Sequence, residues 1–375
     1  STVHFDEISK DKIFQSIDKI KGMKTLIKES YVSLKNRLGR VPLLYDFYEN
    51  QEIDPLVIIR EYKTYDAFMA AMEQDKYKNV LNEQEKLTLE YLSKTVLSGV
   101  RPDELVILRQ LLHRDHIEVA DFIKEYKNTY GIEISTSRVK EAIQVLQGHF
   151  VSKEAEYQKY CQIDILENDP AGMIKRLQSY TERLTHIPFY TQVEDIIKVG
   201  IARYKGKYLP GIKSEDPFVL YEKYSRRDVS LLMNCGKDLS SIMYGMKRIG
   251  NDVFIFITYH KEESQDEKNY VDGKPDYADA FEDNLIFKWD SQIGKGLDSS
   301  YMKDVLGADR KHLFVKKSDA ETSFYYMGQF DVLEARNAQK EDNRGRMQPI
   351  TKVTMKMHHA VREDLLRYLQ SHITA

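Results

Sequence analysis

Only two cysteines, Cys161 and Cys235, occur in this chain of 375 residues. They are too few for a disulfide framework or a cysteine metal cluster and are expected as buried, reduced thiols. No apolar run approaches the roughly 18 to 20 residues of a membrane span, and the opening STVHFDEISKDK is polar and acidic where a targeting segment would be basic and then apolar. A soluble, cytoplasmic protein with no membrane partner is therefore expected. Bulk charge is lacking too: 56 basic and 59 acidic residues leave a net charge of −3, so any nucleic-acid surface has to be assembled from local clusters. Catalytic signatures are absent as well. There is no GxxxxGK[ST] phosphate loop, no HxK pair and no HExxH, which removes the residues for ATP hydrolysis, for phospholipase-D-type cleavage and for zinc-dependent hydrolysis. Histidines come close to metal-ligand spacing only at His113 with His116 and at His358 with His359, neither pair near a cysteine. No catalytic residue and no metal ligand is assigned.

What the chain does have is length for more than one core and an ordinary globular composition, 42% hydrophobic and 31% charged. Residues 8–201 carry apolar positions three and four apart, as in Ile13, Ile17, Ile20 and Met23, and read as a run of about nine amphipathic helices. Breaks fall at residues 39–42, 98–102 and 168–170, where glycine, proline, serine and asparagine collect. Within this array, residues 117–147 are two helical patterns joined by NTYGIEIS, with Ser135 or Thr136 as cap of the second. The pattern suits a helix-turn-helix or winged helix, or the far commoner helical hairpin.

Two glycines and two prolines in GKYLPGIKSEDP mark a boundary, so residues 1–204 are read as an all-helical coupling domain and 205–375 as a second domain. After a short helix at 226–234, apolar and polar residues alternate at 241–249, 253–260, 285–290, 312–316, 324–333 and 350–357, and a final helix follows at 360–370. The fold class is thus α+β: an N-terminal helical array, then a curved antiparallel sheet or barrel with flanking helices. The charged run HKEESQDEKNYVDGK at 260–274 reads as a surface loop.

The most informative stretch is YADAFEDNLIFKWDSQIG at 277–294, which holds the only tryptophan. A protein that inspects one base of a duplex has to extrude it, stack it on flat side chains and meet its Watson–Crick edge with carboxylates or amides. Tyr277, Phe287 and Trp289 supply planes; Asp279, Asp290, Ser291 and Gln292 supply polar edges. Phe287 and Trp289 stand two apart on one face of a strand, with Lys288 and Asp290 on the other.

This run resembles the signature of SRA-type modified-cytosine readers, in which a tyrosine, acidic residues and an aromatic-rich strand recur in that order. The resemblance implies that Tyr277 and Trp289 clasp a flipped base and that Asp279 accepts from the cytosine amino group. Ala280 stands where the readers tend to keep a second acid, and Asp290 and Ser291 where they have threonine and glycine. Over residues 220–330, with LYEKYSRRDVSLL, FKWDSQ, HLFVKK and FYYMGQF, the chain is also similar to the C-terminal domain that follows superfamily-2 helicase cores in type IV, modification-dependent restriction endonucleases. That implies an SRA-like recognition domain for 5-methylcytosine or 5-hydroxymethylcytosine in double-stranded DNA. Its partners would be helicase and nuclease domains of the same polypeptide, and ATP and magnesium would belong to those parts, with no cofactor in this chain.

Phosphate and groove contacts would fall to Lys223, Ser225, Arg226 and Arg227 around a helix start, to Tyr259, His260 and Lys261 at a strand exit, and to Arg310, Lys311, Lys316, Lys317, Arg344 and Arg346. Two other readings stay open: a divergent nuclease holding magnesium on Asp276, Asp279 and Glu282, and a module that couples a helicase to a protein partner.

Overall fold

The computed structural model describes residues 22–78, 80–169, 172–212, 216–260, 270–271, 274–275, 279–342 and 344–371. Tyr277, Asp276 and Lys261 lie outside the described residues. The chain divides into two compact units, residues 1–215 with 230–238, and residues 216–229 with 239–375.

The first unit is built on helices α1 (Met23–Leu38), α2 (Leu44–Glu49), α3 (Pro55–Tyr62), α4 (Tyr65–Glu73), α5 (Glu83–Val96), α6 (Asp103–His113), α7 (Val119–Tyr130), α8 (Thr136–Gln144), α9 (Glu154–Tyr160), α10 (Gln178–Leu184) and α11 (Ile187–Arg203). Caps set many of the starts: Asp54 accepts from Leu56 N, Thr64 from Ala67 N, and Asn82 with Glu85 forms a reciprocal capping box. α11 buries Phe189, Val193, Ile196, Ile197 and Ile201, enough apolar surface to make it the spine of this unit. Two of its polar residues also turn inward. Asp195 accepts from Leu44 N at 2.7 Å and Tyr45 N at 3.0 Å, capping α2, and Arg203 pairs with Asp54 at 2.6 Å. The unit is not all helix, contrary to the sequence expectation. Strands β1 (His116–Glu118), β2 (Leu166–Asn168) and β3 (Met173–Arg176) form a small antiparallel sheet in the order β1-β3-β2. Three- and four-residue strands are too short to impose a visible alternation.

The second unit is an eight-stranded sheet running β5 (Met246–Ile249), β6 (Asp252–His260), β11 (Arg310–Ser318), β12 (Phe324–Glu341), β13 (Met347–Met357), β10 (Ile286–Asp290) and β9 (Ala280–Phe281), with β4 (Lys223–Tyr224) on β12. A hairpin, β7 (Tyr270–Val271) with β8 (Lys274–Pro275), stands apart. Helices α12 (Arg226–Leu232), α13 (Ser300–Leu306) and α14 (Glu363–Gln370) complete the elements. The α+β class is as expected, but the sheet is mixed and not purely antiparallel, because β6 and β11 run parallel over Asp252↔Arg310 to His260↔Ser318. Alternation says nothing about direction, and the 49 residues of 261–309 are ample for a crossover. The run DVFIFITYH was itself a hint, since all but one of its residues are buried and continuous apolar strands belong in doubly covered, parallel positions. β12 is long because it serves two neighbours in turn, β11 through Gln329 and β13 from Phe330 onward, with a bulge between Val332 and Glu334.

Candidate functional site

β10 pairs with β13 from Ile286↔Lys356 to Asp290↔Lys352, which sets the two faces of this end of the sheet. Phe287 (0% exposed) and Trp289 (3%) turn inward and Lys288 outward, so both aromatic candidates are core side chains of the second unit. Phe287 packs edge-on against Phe281, ring centroids 4.7 Å apart. The Trp289 ring lies 6.3 Å from that of Tyr301 on α13, their planes 30° apart.

The polar candidates collect at the C-terminal end of β10. Asp279 accepts from Asp290 N at 3.0 Å. The Asp290 carboxyl, pushed up by burial against the pull of Lys352, pairs with that lysine at 3.6 Å. Gln292 donates to Tyr244 O at 3.1 Å, a contact that depends on Gly245. With φ +74, a Cβ there would come within 2.7 Å of the Gln292 amide nitrogen. Ser291 instead stitches the loop to β13: its hydroxyl donates to Lys295 O at 2.6 Å and accepts from Thr351 N at 2.8 Å.

Tyr301 is the residue that sequence reasoning missed. Its hydroxyl is buried with no hydrogen-bond partner among the described residues, and burial first, then the charge of Asp279, drives its pKa above the usual tyrosine range. A hydroxyl in that position is suited to meet a polar ligand atom. In the sequence it is one tyrosine of 25, the second residue of a helix capped by Ser299, and no local signal distinguishes it from a core residue.

The cationic candidates separate into those near the surface and those packed inside. Lys223, Arg226 and Lys316 gather around the start of β12, where Lys223 pairs with Glu321 at 3.3 Å and Lys316 donates to Glu321 O at 2.8 Å. Arg226 and Lys316 both lie over the Phe324 ring, at 5.1 and 5.3 Å. Burial, chiefly, lowers the Lys316 pKa. Ser225 caps α12, accepting from Asp228 N at 3.1 Å, and Arg227 beside it is half-buried. Lys317 is buried under α14, donating to Ser371 at 2.7 Å, and Tyr259 and His260 are buried too, with His260 Nε2 2.7 Å from Leu369 O. These three are structural in this fold. Lys311 donates to Ala308 O at 2.6 Å and Arg310 pairs with Asp252 at 2.7 Å, whereas Arg344 and Arg346 stand exposed at the β12–β13 turn, Arg346 against Asp342 at 2.9 Å.

A second basic set is brought together only by the sheet. On the outward face shared by β10, β13 and β12, Lys288, Lys352, Lys356, Arg336 and Lys340 share one side of the sheet in register, Lys352 opposite Arg336 and Lys340 opposite Gln348. Lys288, Arg336, Lys340 and Lys356 are exposed and Lys352 half-buried. Asp290, Glu334 and Glu282 offset part of this charge. The four-residue spacing of the basic residues in EARNAQK and TKVTMKM, an even number that returns each pair to one face of a strand, was the signal that could have found them.

Residues 27–206 match a family described as a domain of unknown function (DUF8090), and residues 218–369 a second such family (DUF3427). No curated protein matches the chain. Among solved structures, the sulfur binding domain and SRA domain of ScoMcrA complexed with phosphorothioated DNA is similar over 78% of this chain and 92% of that one, at 10% identity and a TM-score of 0.24. The type IV phosphorothioation-dependent restriction endonuclease ScoMcrA is similar over 82% of this chain and 62% of that one, at 12% identity and a TM-score of 0.24. At that score the folds superpose only loosely. Among the described residues, no helix is long and apolar enough to cross a membrane.

Proposed function

We propose that this chain is the target-recognition region of a type IV, modification-dependent restriction enzyme, and that its second unit reads 5-methylcytosine or 5-hydroxymethylcytosine extruded from duplex DNA. The observation that carries the reading is the buried Tyr301 hydroxyl, without a hydrogen-bond partner among the described residues, within the electrostatic reach of Asp279 and next to the Trp289 ring. A flat heterocycle with a donor and acceptors on its edge answers all three: rings to stack on, a carboxylate for the exocyclic amino group and a hydroxyl for a ring acceptor. Gln292, fixed by Tyr244, is a further edge group. Because Trp289 is covered in the unliganded protein, entry of a base requires the loop 291–297 or the turn at Tyr244–Gly245 to yield. The outward cations from Lys288 to Lys356 would hold the phosphates. Apolar contact with a methyl group discriminates by only about 1 to 3 kcal/mol, so flanking contacts share the specificity. Helicase and nuclease domains elsewhere in the parent polypeptide would supply ATP- and magnesium-dependent steps.

The test is competitive binding of duplexes that differ only in cytosine, 5-methylcytosine or 5-hydroxymethylcytosine, at low and moderate salt, for the parent chain and for Tyr301→Phe. Preference for a modified duplex that Tyr301→Phe reduces supports the reading. Equal binding of all three duplexes refutes it, and magnesium-dependent nicking by the chain alone would favour the nuclease reading instead.

A further inference from the structure

We infer that the first unit carries its own duplex-DNA contact, a winged helix-turn-helix whose reading element is α8. The inference does not depend on the modified-base site. The chain order α6, β1, α7, α8, α9, β2, β3, with β3 inserted between β1 and β2 and all pairings antiparallel, is the winged-helix topology with one short helix, α9, added before β2: three helices closed by a small sheet whose β2–β3 hairpin is the wing. α7 ends at Gly131, in the left-handed conformation at φ +70, and after a short turn Ser135 caps α8 by accepting from Arg138 N at 3.2 Å. Asp103, buried at the start of α6, takes Arg138 of α8 at 2.6 Å and the Tyr126 hydroxyl of α7 at 2.7 Å, locking the three helices into one body. Val119 N donates to Gly172 O at 3.0 Å, tying the wing to the start of α7.

The body buries Val139, Ala142 and Ile143 of α8 and leaves Thr136, Ser137, Lys140 and Gln144 exposed along one face. None of those four side chains has a hydrogen-bond partner or ion pair among the described residues. In a helix-turn-helix the residues at the start of the second helix meet base edges in the major groove. Short hydroxyls, an amide and a lysine are the groups that do so. Ala120, Ile123, Thr136, Gly172 and Met173 border a cavity of about 650 Å³ between the helix starts and the wing, a concavity against which a strand backbone fits. A docking face for a protein would instead expose large apolar side chains on α8, and this face has none. Lys124, Lys140 and Lys175 are exposed, but so are Glu118 and Glu167, and Lys175 pairs with Asp169 at 2.9 Å, so few phosphates are neutralised and the contact is a weak one that gains from linkage to the second unit.

The test uses the full chain and an unmodified duplex. A photoreactive p-benzoylphenylalanine is placed at Ser137, and as a control at exposed Lys28 on α1. Lys140→Glu is measured separately for affinity and salt dependence. Expected are a crosslink from position 137 that unlabelled duplex competes away, none from position 28, and a roughly tenfold loss of affinity in Lys140→Glu with the salt slope smaller by about one. The crosslink should persist in a Tyr301→Phe chain that has lost modified-base preference, which separates this inference from the base-reading one. A position-137 yield no higher than that from position 28, or a crosslink only to added protein, overturns it.

Discussion

Tyr301→Phe should make the unliganded protein more stable and the reader less discriminating. The substitution removes one oxygen and changes no ring contact, and that oxygen is buried without a partner among the described residues. Leaving a hydroxyl unsatisfied costs about 1 to 3 kcal/mol. Because the ring is only half-buried, the lower end applies, and the gain on deletion is about 1 kcal/mol. The second unit comprises residues 216–229 and 239–375, 14 plus 137 residues, for which 1 kcal/mol raises the melting temperature by about 2 to 4 °C. Trp289, the only tryptophan, is packed beside Tyr301, so its fluorescence follows this unit alone during thermal or urea unfolding. With a modified duplex bound, the hydroxyl gains its partner, and its loss should then cost about 1 kcal/mol, roughly a fivefold drop in preference. Stability and preference thus move in opposite directions, which a purely structural hydroxyl cannot produce. If Tyr301→Phe lowers the unfolding midpoint, the hydroxyl has a structural partner; if it stabilises while preference is unchanged, no base reaches it.

Three other outcomes are expected. The buried Asp195 carboxyl is pushed up, mainly by burial, from 3.8 to about 7 despite its two N–H donors. A raised carboxyl pKa favours the fold below pH ~4 and loses that contribution as pH rises through ~7, about 4 kcal/mol in all. Far-UV circular dichroism of urea unfolding should thus show the first unit weakening between about pH 4 and pH 8, and Asp195→Asn should flatten that slope; an unchanged slope would sink the assignment. Asp103→Ala strips Arg138 of its carboxylate and the Tyr126 hydroxyl of its acceptor, and leaves Arg101 with Glu104 as its carboxylate partner; since both arginines hold the Asp103 pKa down against burial, destabilisation of about 3 kcal/mol is expected by urea unfolding. Lys340→Glu with Lys352→Glu should weaken binding of modified and unmodified duplexes alike, with the salt slope reduced by about two in a fluorescence titration; a loss confined to the modified duplex would place these lysines in the pocket.

Helix and strand placement was readable because it rests on local rules. Val139, Ala142 and Ile143 of α8, or Phe287 and Trp289 of β10, repeat within a turn or a pleat, and Ser135, Asp54 and Asn82 announce the helices they cap. So the α+β class, the strands at β6, β10, β11, β12 and β13 and the closing helix were all legible. The parallel pairing of β6 with β11 was not, since pairing partners are chosen by contacts between segments far apart in the chain, about which an alternating pattern is silent. The small sheet that turns a helical hairpin into a winged helix was hidden for the same reason. Its strands are too short to signal themselves, and only the register Ile117↔Ile174 brings them together.

The candidate site divides along the same line. By itself the sequence determined which side chains have the chemistry to read a base or hold a phosphate: the aromatic and acidic run from Asp279 to Gln292 and the basic residues around it. It could not decide availability. Tertiary packing buried Lys317, His260 and Tyr259 in the core of the second unit. It also lined up Lys288, Arg336, Lys340, Lys352 and Lys356 on one outer face, and set Tyr301 beside Trp289 with Gly245 and Asp279 near the Tyr301 hydroxyl. Composition and periodicity are properties of neighbours in the chain, whereas exposure, ion pairing and an unsatisfied hydroxyl are properties of neighbours in space.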